Sequence, residues 1–461
     1  MIPGQAQQFF EAAAAQSGGS SYEIERSLRF NRGDSAYLNR TPSSDGNRQT
    51  FTWAGWVKRS KLGSSQNIIS AGNAGSVARA RIHFTSGDKL EFGNNPTGGS
   101  WTGELETTQT FRDPSAWYHI CCVFDSSDAT ASERLRMYIN GARVTQFDTE
   151  NYSALNESNV INSSVQHYIG QYSSGGQGAF YGGYLADVHF IDGQALAPTD
   201  FGEYDDNNVW QPKQYLGGFD DWFDTSQTWS GLWSGSVGYG SFANLHDTNL
   251  TNYMQSLDAT LTLSSPIAVT SLRILLQRYG PTGTSLSING TDVSSQLPSA
   301  PSGIVWVDIT GVTSLTSLNV TSGDYSSNTL GLYAIEVNGK LLLDTGTSAS
   351  NNGFHLDFSD NSSVAALGTD SSGNSNTWTV NNLSVTAGKG NDSLIDTPTD
   401  YVAGSGNNGG NYCTLIPLKN AQTLSNGNLD VVGGSSWQRS VGSLGMFSGK
   451  YYWEYEITAS N

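Results

Sequence analysis

Apolar and polar residues alternate along this chain over short stretches, and turn-forming residues separate those stretches. In LRMYI (135–139), Leu135, Met137 and Ile139 share a face; in YLADVHF (184–190), Tyr184, Ala186, Val188 and Phe190 do. A period of two fits a pleated strand, where successive side chains leave the backbone on opposite sides. The same pattern predicts strands at SLRFN (27–31), AYLNR (36–40), FTWAGWVKRS (51–60), ARIHFTS (80–86) and KLEFG (89–93). It continues through WYHICCVFDSS (117–127), LRMYINGARVTQF (135–147), QHYIGQY (166–172) and YLADVHFIDGQAL (184–196). Asn140-Gly141 predicts a type I′ hairpin, because both central positions of that turn need positive φ. Asn289-Gly290 and Asn338-Gly339 repeat the signal. One convincing helical stretch, 5–16, precedes a Gly/Ser linker at 17–21.

The expected fold class is therefore all-β: tandem antiparallel β-sandwiches behind a short N-terminal helical arm. The segments divide as an arm (1–21), a first sandwich (22–215), a second (216–344), a Ser/Asn-rich extended connector (345–411) and an incomplete module (412–461). The flanks VWQPKQY and GFHLDFSDNSS suggest that the second sandwich interrupts a segment that otherwise runs on. In GKYYWEYEITASN (449–461), Tyr451, Trp453, Tyr455 and Ile457 alternate with Tyr452, Glu454, Glu456 and Thr458. That predicts a half-buried strand, whose partners are expected from a longer polypeptide or from another subunit.

Composition sharpens this picture. The 53 Gly, 21 Tyr, 18 Phe and 12 Trp, with 14% charged residues, suit many short strands around aromatic cores and exclude a disordered chain. A formal charge of −18 disfavours binding to phosphate backbones and anionic membranes. No apolar run approaches the roughly eighteen residues a membrane helix needs. The three cysteines form neither a disulfide framework nor a zinc spacing; Cys121 and Cys122 point to opposite faces of one strand.

Catalytic patterns are weak. Glu454 and Glu456 share a strand face, and Asp220, Asp221 and Asp224 crowd a Gly-flanked loop, but both sets read as solvated groups. His83, His119, His167, His189, His246 and His355 sit in no nucleophile or zinc-protease context, so no enzyme activity is expected. Asp370, Ser372, Asn374 and Asn376 place oxygens at alternate positions without a terminal bidentate acid. No cofactor is expected, a structural calcium being the one metal alternative. Arg32-Gly33-Asp34 reads as a turn between two strands. The candidate carbohydrate-binding residues are aromatic: Trp222, Trp229, Trp233 and Tyr239 in one Gly/Ser-rich region, and Tyr172, Tyr181 and Tyr184 in another. Rings of this kind stack on the C–H faces of sugars; the competing reading of the first group is that it seals a core.

The run L-x-F-N…S-x-Y-L, F-T-W-x-G-W-V-K, W-Y-H-I-x-x-V-F-D, L-R-M-Y-I-N-G and Y-G-G-Y-L-A-D-V-H-F-I-D-G-Q-A-L resembles the laminin-G-like, concanavalin-A-like lectin module. That resemblance implies two curved sheets packed face to face, with ligands on the concave face or the rim loops. N-L-H-D-x-N-L-T-N-Y resembles the galactose-binding-like fold, and G-K-Y-Y-W-E-x-E-I-T resembles a SPRY strand. The module order resembles tail-fibre and other appendage proteins of marine bacteriophages, including cyanophages. It implies a virion protein, assembled in the host cytoplasm and exposed on the particle. Its N-terminal arm would dock to other tail proteins, and its modules, in a homo-oligomer with a trimer favoured, would touch host-surface polysaccharide. The alternatives are a non-binding virion decoration or adaptor and a polysaccharide depolymerase.

Overall fold

FTWAGWV (51–57) has one polar residue, Thr52, too few for a strand that shows a face to water. In the computed structural model it forms the centre of β3 (Thr50–Arg59), buried on both sides from Phe51 onward. The structure describes residues 22–72, 78–172, 179–218, 223–224, 226–247, 252–280, 283–321, 330–344, 352–399, 410–419, 422–433, 439–446 and 452–457. The expected helical arm lies outside the described residues.

Two compact units emerge. One takes Met1–Ile191, Ala195–Phe219 and Asn352–Asn461; the other takes Asp192–Gln194 and Asp220–Asn351.

The first unit is a jelly-roll sandwich of two eight-stranded sheets. Its strands are β1 (Ser27–Phe30), β2 (Tyr37–Arg40), β3, β4 (Gln66–Ala71), β5 (Arg79–Phe84), β6 (Lys89–Asn95) and β7 (Gly103–Thr110). They continue as β8 (Trp117–Asp125), β9 (Leu135–Ile139), β10 (Ala142–Arg143), β11 (Phe147–Asn151), β12 (His167–Ile169) and β13 (Gly183–Asp192). One sheet runs β10-β9-β8-β3-β13-β1 and the other β11-β7-β6-β5-β4-β12-β2. Phe51, Trp53, Phe84, Phe92, Ile120, Phe124 and Val188 fill the space between them.

The described part of the Ser/Asn-rich segment completes both sheets. Ser393–Leu394 extends the first sheet beside β1 and Phe354–Leu356 pairs with β13, while Thr379–Asn381 extends the second beside β2. Two buried ion pairs reinforce the first sheet's additions, Arg29–Asp392 at 3.0 Å and Lys58–Asp396 at 2.7 Å.

The first sheet is covered on its outer side as well. Trp56, Trp117, Tyr184 and Trp210 pack there with Ile24, and Phe201 packs on Ala54, Cys121 and Val123. Cys122 faces the inter-sheet core instead, so the neighbouring thiols do occupy opposite faces. The Asn140-Gly141 turn has φ of 47° and 78°, and a Cβ on Gly141 would sit 2.3 Å from the Trp210 ring. Glycine there serves both the turn and the Trp210 cover.

The outer side of the second sheet is polar and partly exposed among the described residues: Arg79, Arg81 and Glu104 are half-buried, while Ser70, His83 and Glu91 are buried. In β7, Gly103, Leu105 and Thr107 are buried while Glu104 and Glu106 are partly exposed. β4, β7 and β11 were not anticipated from sequence; in β7 and β11, GELETTQT and FDTEN each offer one large apolar side chain.

The second unit is also all-β. Its long strand Met254–Ala268 pairs with Trp233–Tyr239, Ser314–Thr321 and Leu330–Val337 around a core of Leu261, Leu276, Leu318 and Leu332. Asn289-Gly290 and Asn338-Gly339 take φ of 53° and 78°, and of 55° and 79°, as type I′ turns require.

The half-buried strand expected near the C-terminus is corrected by the structure. Residues 452–457 form no strand, and Tyr452, Trp453, Tyr455 and Ile457 are 82%, 66%, 81% and 74% exposed. Among the described residues no strand lies beside them to accept the backbone bonds on which an alternating pattern depends.

Candidate ligand-binding face

Register places the side chains of the second sheet in rows across its outer face. One row reads Glu104, Gly93, Arg81, Ser70, Tyr168 and Asn39, on β7, β6, β5, β4, β12 and β2. On one side of it Glu106, Glu91 and His83 form a second row; on the other, Arg79 stands opposite Asn95. The intervening residues Ala80, Ile82, Phe92 and Leu105 point into the core, so the period of two alone sorts this polar face from the apolar one.

Gly93 leaves a gap in the central row, and Trp101 fills it. A Cβ at Gly93 would stand 3.0 Å from both Cε3 and Cζ3 of the indole, so that ring covers the bare backbone between Glu104 and Arg81. The Arg81 guanidinium lies 4.6 Å from the Trp101 ring centre and 5.9 Å from that of Tyr172; Arg79 lies 5.3 Å from Trp101. Cation–π contacts of this kind hold a ring in place while leaving polar edges around it.

Glu91 organises the charges. Arg81 donates to its Oε1 from Nε at 2.8 Å and lies 2.7 Å away through Nη2, and His83 Nε2 is 3.0 Å from the same oxygen. Burial works to raise the Glu91 carboxyl, but His83 and Arg81 outweigh it and hold it below its ordinary value. Glu104 moves the other way, raised by burial and then by the charge of Glu91.

The aromatic residues proposed from sequence divide on exposure. Trp229 and Trp233 are 0% and 7% exposed in the core of the second unit, with indole N–H groups donated to Asp224 O and His246 Nε2. Tyr181 and Tyr184 are buried too, donating to Lys58 O at 2.8 Å and Gly427 O at 2.7 Å. These four are corrected to core residues: their faces and polar tips are already occupied. Trp222 lies outside the described residues. Tyr239 is 55% exposed and stacks on Tyr253, 5.1 Å between ring centres, in the second unit. Of the six that are described, only Tyr172 reaches this sheet face, beside Arg81. Trp101, Arg79, Arg81, Glu91 and Glu104 went unrecognised; the available signal was a lone Trp after NNPTGGS, between the charged strands ARIHF and GELET.

The remaining candidates fall to local bonding. Arg32 donates to Ser64 Oγ, Ser65 O and Phe180 O, which holds the Arg-Gly-Asp turn to its own sandwich. Asp370 accepts from the backbone N–H groups of His355, Ser372 and Asn376, so its carboxylate caps a turn. Asp224 likewise accepts from Ser226 N, while Asp220 and Asp221 lie outside the described residues.

A second polar cluster is buried beside β13. Ligand atoms of Asp187, His189 and His355 lie within 4.8 Å of one another. Asp187 Oδ1 already accepts from Tyr22 at 2.9 Å and pairs with His355 Nε2 at 2.7 Å. The two imidazoles are stacked at 4.1 Å and 15°. Within the cluster, His355 and Asp187 form a buried ion pair, while burial favours the neutral ring of His189.

No helix among the described residues is long and apolar enough to cross a membrane. Residues 31–200 match the family model of the concanavalin A-like lectin/glucanases superfamily. No curated protein matches the chain. Among solved structures, the heptameric SAP-like pentraxin of Limulus polyphemus is similar at 18% identity over 38% of this chain and 80% of that one, with a TM-score of 0.29. Domains LG4-5 of the mouse laminin α1 chain are similar at 9% identity over 71% and 94%, with a TM-score of 0.28. The IT-sialidase CBM40 of Ruminococcus gnavus bound to α2,3-sialyllactose is similar at 14% identity over 32% and 88%, with a TM-score of 0.24. The first unit is thus built on a laminin G-like, concanavalin A-like jelly roll, the family whose model covers residues 31–200.

Proposed function

We propose that this polar sheet face binds a glycan. The observation that carries this reading is Trp101 laid across the Gly93 gap on an otherwise polar sheet face, with Arg81 and Tyr172 beside it. An indole offers a sugar the flat apolar surface its C–H groups prefer, and the surrounding Arg, Glu and Asn side chains match its hydroxyls. The lectin-superfamily match over residues 31–200 supports the same reading. Glycan-array screening followed by calorimetry tests it. Wild type should bind at least one oligosaccharide, and Trp101→Ala should weaken that binding by about tenfold or more, near 1.4 kcal/mol. Binding that survives Trp101→Ala unchanged would move the site elsewhere.

The protein is proposed to bind without cleaving. A depolymerase reading has one specific observation behind it: Glu91 and Glu104 share this face and their carboxyls are pushed apart in acidity. Against it, Glu91 Oε1 is already engaged by Arg81 and His83. Reducing-sugar release from a bound polysaccharide, lost in Glu104→Gln, would favour cleavage.

The carrier is proposed to be a bacteriophage virion appendage, in which many copies offset weak single sites. That proposal, with docking by residues 1–21, a trimeric state and a SPRY-like module at 412–461, is supported by the order of sequence motifs. Mass spectrometry of purified particles from the source community tests it; absence of the chain from them would end it.

A further inference from the structure

The geometry points to an anionic glycan, one whose sugar ring carries a carboxylate or a sulfate, as the ligand of the polar sheet face, with Arg79 as the residue that receives the charge. This assignment rests on the glycan-binding reading above.

Two guanidinium groups lie against one indole, and they are not equivalent. Arg81 is neutralised by Glu91, with two of its nitrogens within 2.8 Å of one carboxylate oxygen. Arg79 has no ion pair among the described residues, and its Nε is buried without a hydrogen-bond partner. An unmatched donor of this kind is costly unless a ligand supplies the acceptor. Its neighbour across the sheet, Asn95, is no substitute. The Asn95 side chain donates to Gly99 O at 2.8 Å and accepts from Gly98 N at 2.7 Å, closing its own loop.

The face is polarised along the strands. Glu106 and Glu91 stand in one row, Glu104 and Arg81 in the next, and Arg79 in the third, farthest from Glu106. Glu106 is itself 3.3 Å from Lys89. In a chain of net charge −18, a cation with no ion pair among the described residues marks an end of this face that attracts an anion. A sugar stacked on Trp101 brings a ring substituent toward Arg79, whose planar fork suits a carboxylate or a sulfate ester better than a hydroxyl.

The test uses the full chain and three probes of equal length: a hexuronate oligosaccharide, a sulfated hexose oligosaccharide and a neutral hexose oligosaccharide. Wild type should bind one of the charged probes about tenfold more tightly than the neutral one, with the preference shrinking at high salt. Arg79→Gln should bring the ratio of charged to neutral affinity down to about one, whereas Trp101→Ala should weaken all three and leave that ratio. Arg79→Lys distinguishes the sources: it keeps most of the preference for a sulfate and loses it for a carboxylate held by the fork. Equal binding of the three probes, or a preference that survives Arg79→Gln, overturns the anionic assignment alone. Binding of none, with the fold intact by circular dichroism, removes the glycan reading with it.

Discussion

His355 Nε2 lies 2.7 Å from Asp187 Oδ1, joining residues 168 positions apart in the chain. Tyr22 donates to the same oxygen, so one buried carboxylate ties three distant stretches of the first unit together. Burial works to raise the Asp187 carboxyl, and His189, His355 and the hydrogen bonds from His355 and Tyr22 outweigh it, holding it at about 2. For His355, burial opposes the charged ring, and the bond to Asp187 with the charges of Asp187, Asp357 and Asp370 raises it above its ordinary value.

A pH window follows. The His355 contribution is complete below its free value of about 6.5 and is lost as pH rises through the higher folded value. The Asp187 contribution is complete above about 4 and is lost as pH falls toward the folded value. The pair therefore stabilises most between about pH 4 and 6.5. Melting temperature measured across pH should decline on the alkaline side in wild type, and His355→Gln should flatten that limb. Superimposable profiles for the two proteins would refute the coupling.

Lys58 and Asp396 form the other test of how the late segment is held. Lys58 Nζ lies 2.7 Å from the carboxylate, its side chain fully buried, with Asn411 Oδ1 and Tyr412 O also accepting from it. Lys58→Met leaves a buried carboxylate uncompensated and should cost about 3–5 kcal/mol in denaturant unfolding. The double variant with Asp396→Leu should recover much of that loss, because two desolvated charges disappear together. A double variant as unstable as the sum of the singles would show that the two residues act independently.

The thiols should separate cleanly. Burial pushes Cys121 and Cys122 far above the ordinary thiol range, whereas Cys413 is exposed. A thiol reagent at neutral pH should titrate one cysteine in the folded protein and three after denaturation. Rapid labelling of more than one in the native state would contradict this burial.

Gly93→Ala probes the ligand face without removing a charge, although the new methyl also comes within 3.3 Å of Glu91 Oε1. The added methyl meets two indole carbons at 3.0 Å, so the Trp101 ring must move by a few tenths of an ångström. Affinity for the glycan should fall by about threefold to tenfold, roughly 0.7–1.4 kcal/mol, with the melting temperature little changed. An unchanged affinity would mean that the seat of the ring is immaterial to binding.

Much of the fold was legible because it depends on local rules. The period of two in LRMYI, the largely apolar run of FTWAGWV and the three Asn-Gly turns act through neighbouring residues, and each appears where the pattern placed it. The site was less legible. Trp229, Trp233, Tyr181 and Tyr184 were attractive as exposed rings, yet ring type says nothing about which side of a sheet is covered. β7 was invisible for a different reason: GELETTQT has too little apolar area to declare itself, and is held by the strands on either side.

Alternation and turn chemistry, which act over two to four residues, were sufficient to make this an all-β chain of sandwiches; the lectin-like character of the first came from the resemblance of its motifs to a known family. Tertiary structure alone decided that one sheet carries an apolar outer cover while the other keeps a polar, partly exposed face among the described residues, since that cover comes from Phe201 and Trp210, far along the chain from β3 and β8. It alone set Trp101 over Gly93 beside Arg79 and Arg81, and brought His355 to Asp187. Those meetings depend on strand order and register across the sheets, which no short window of residues contains.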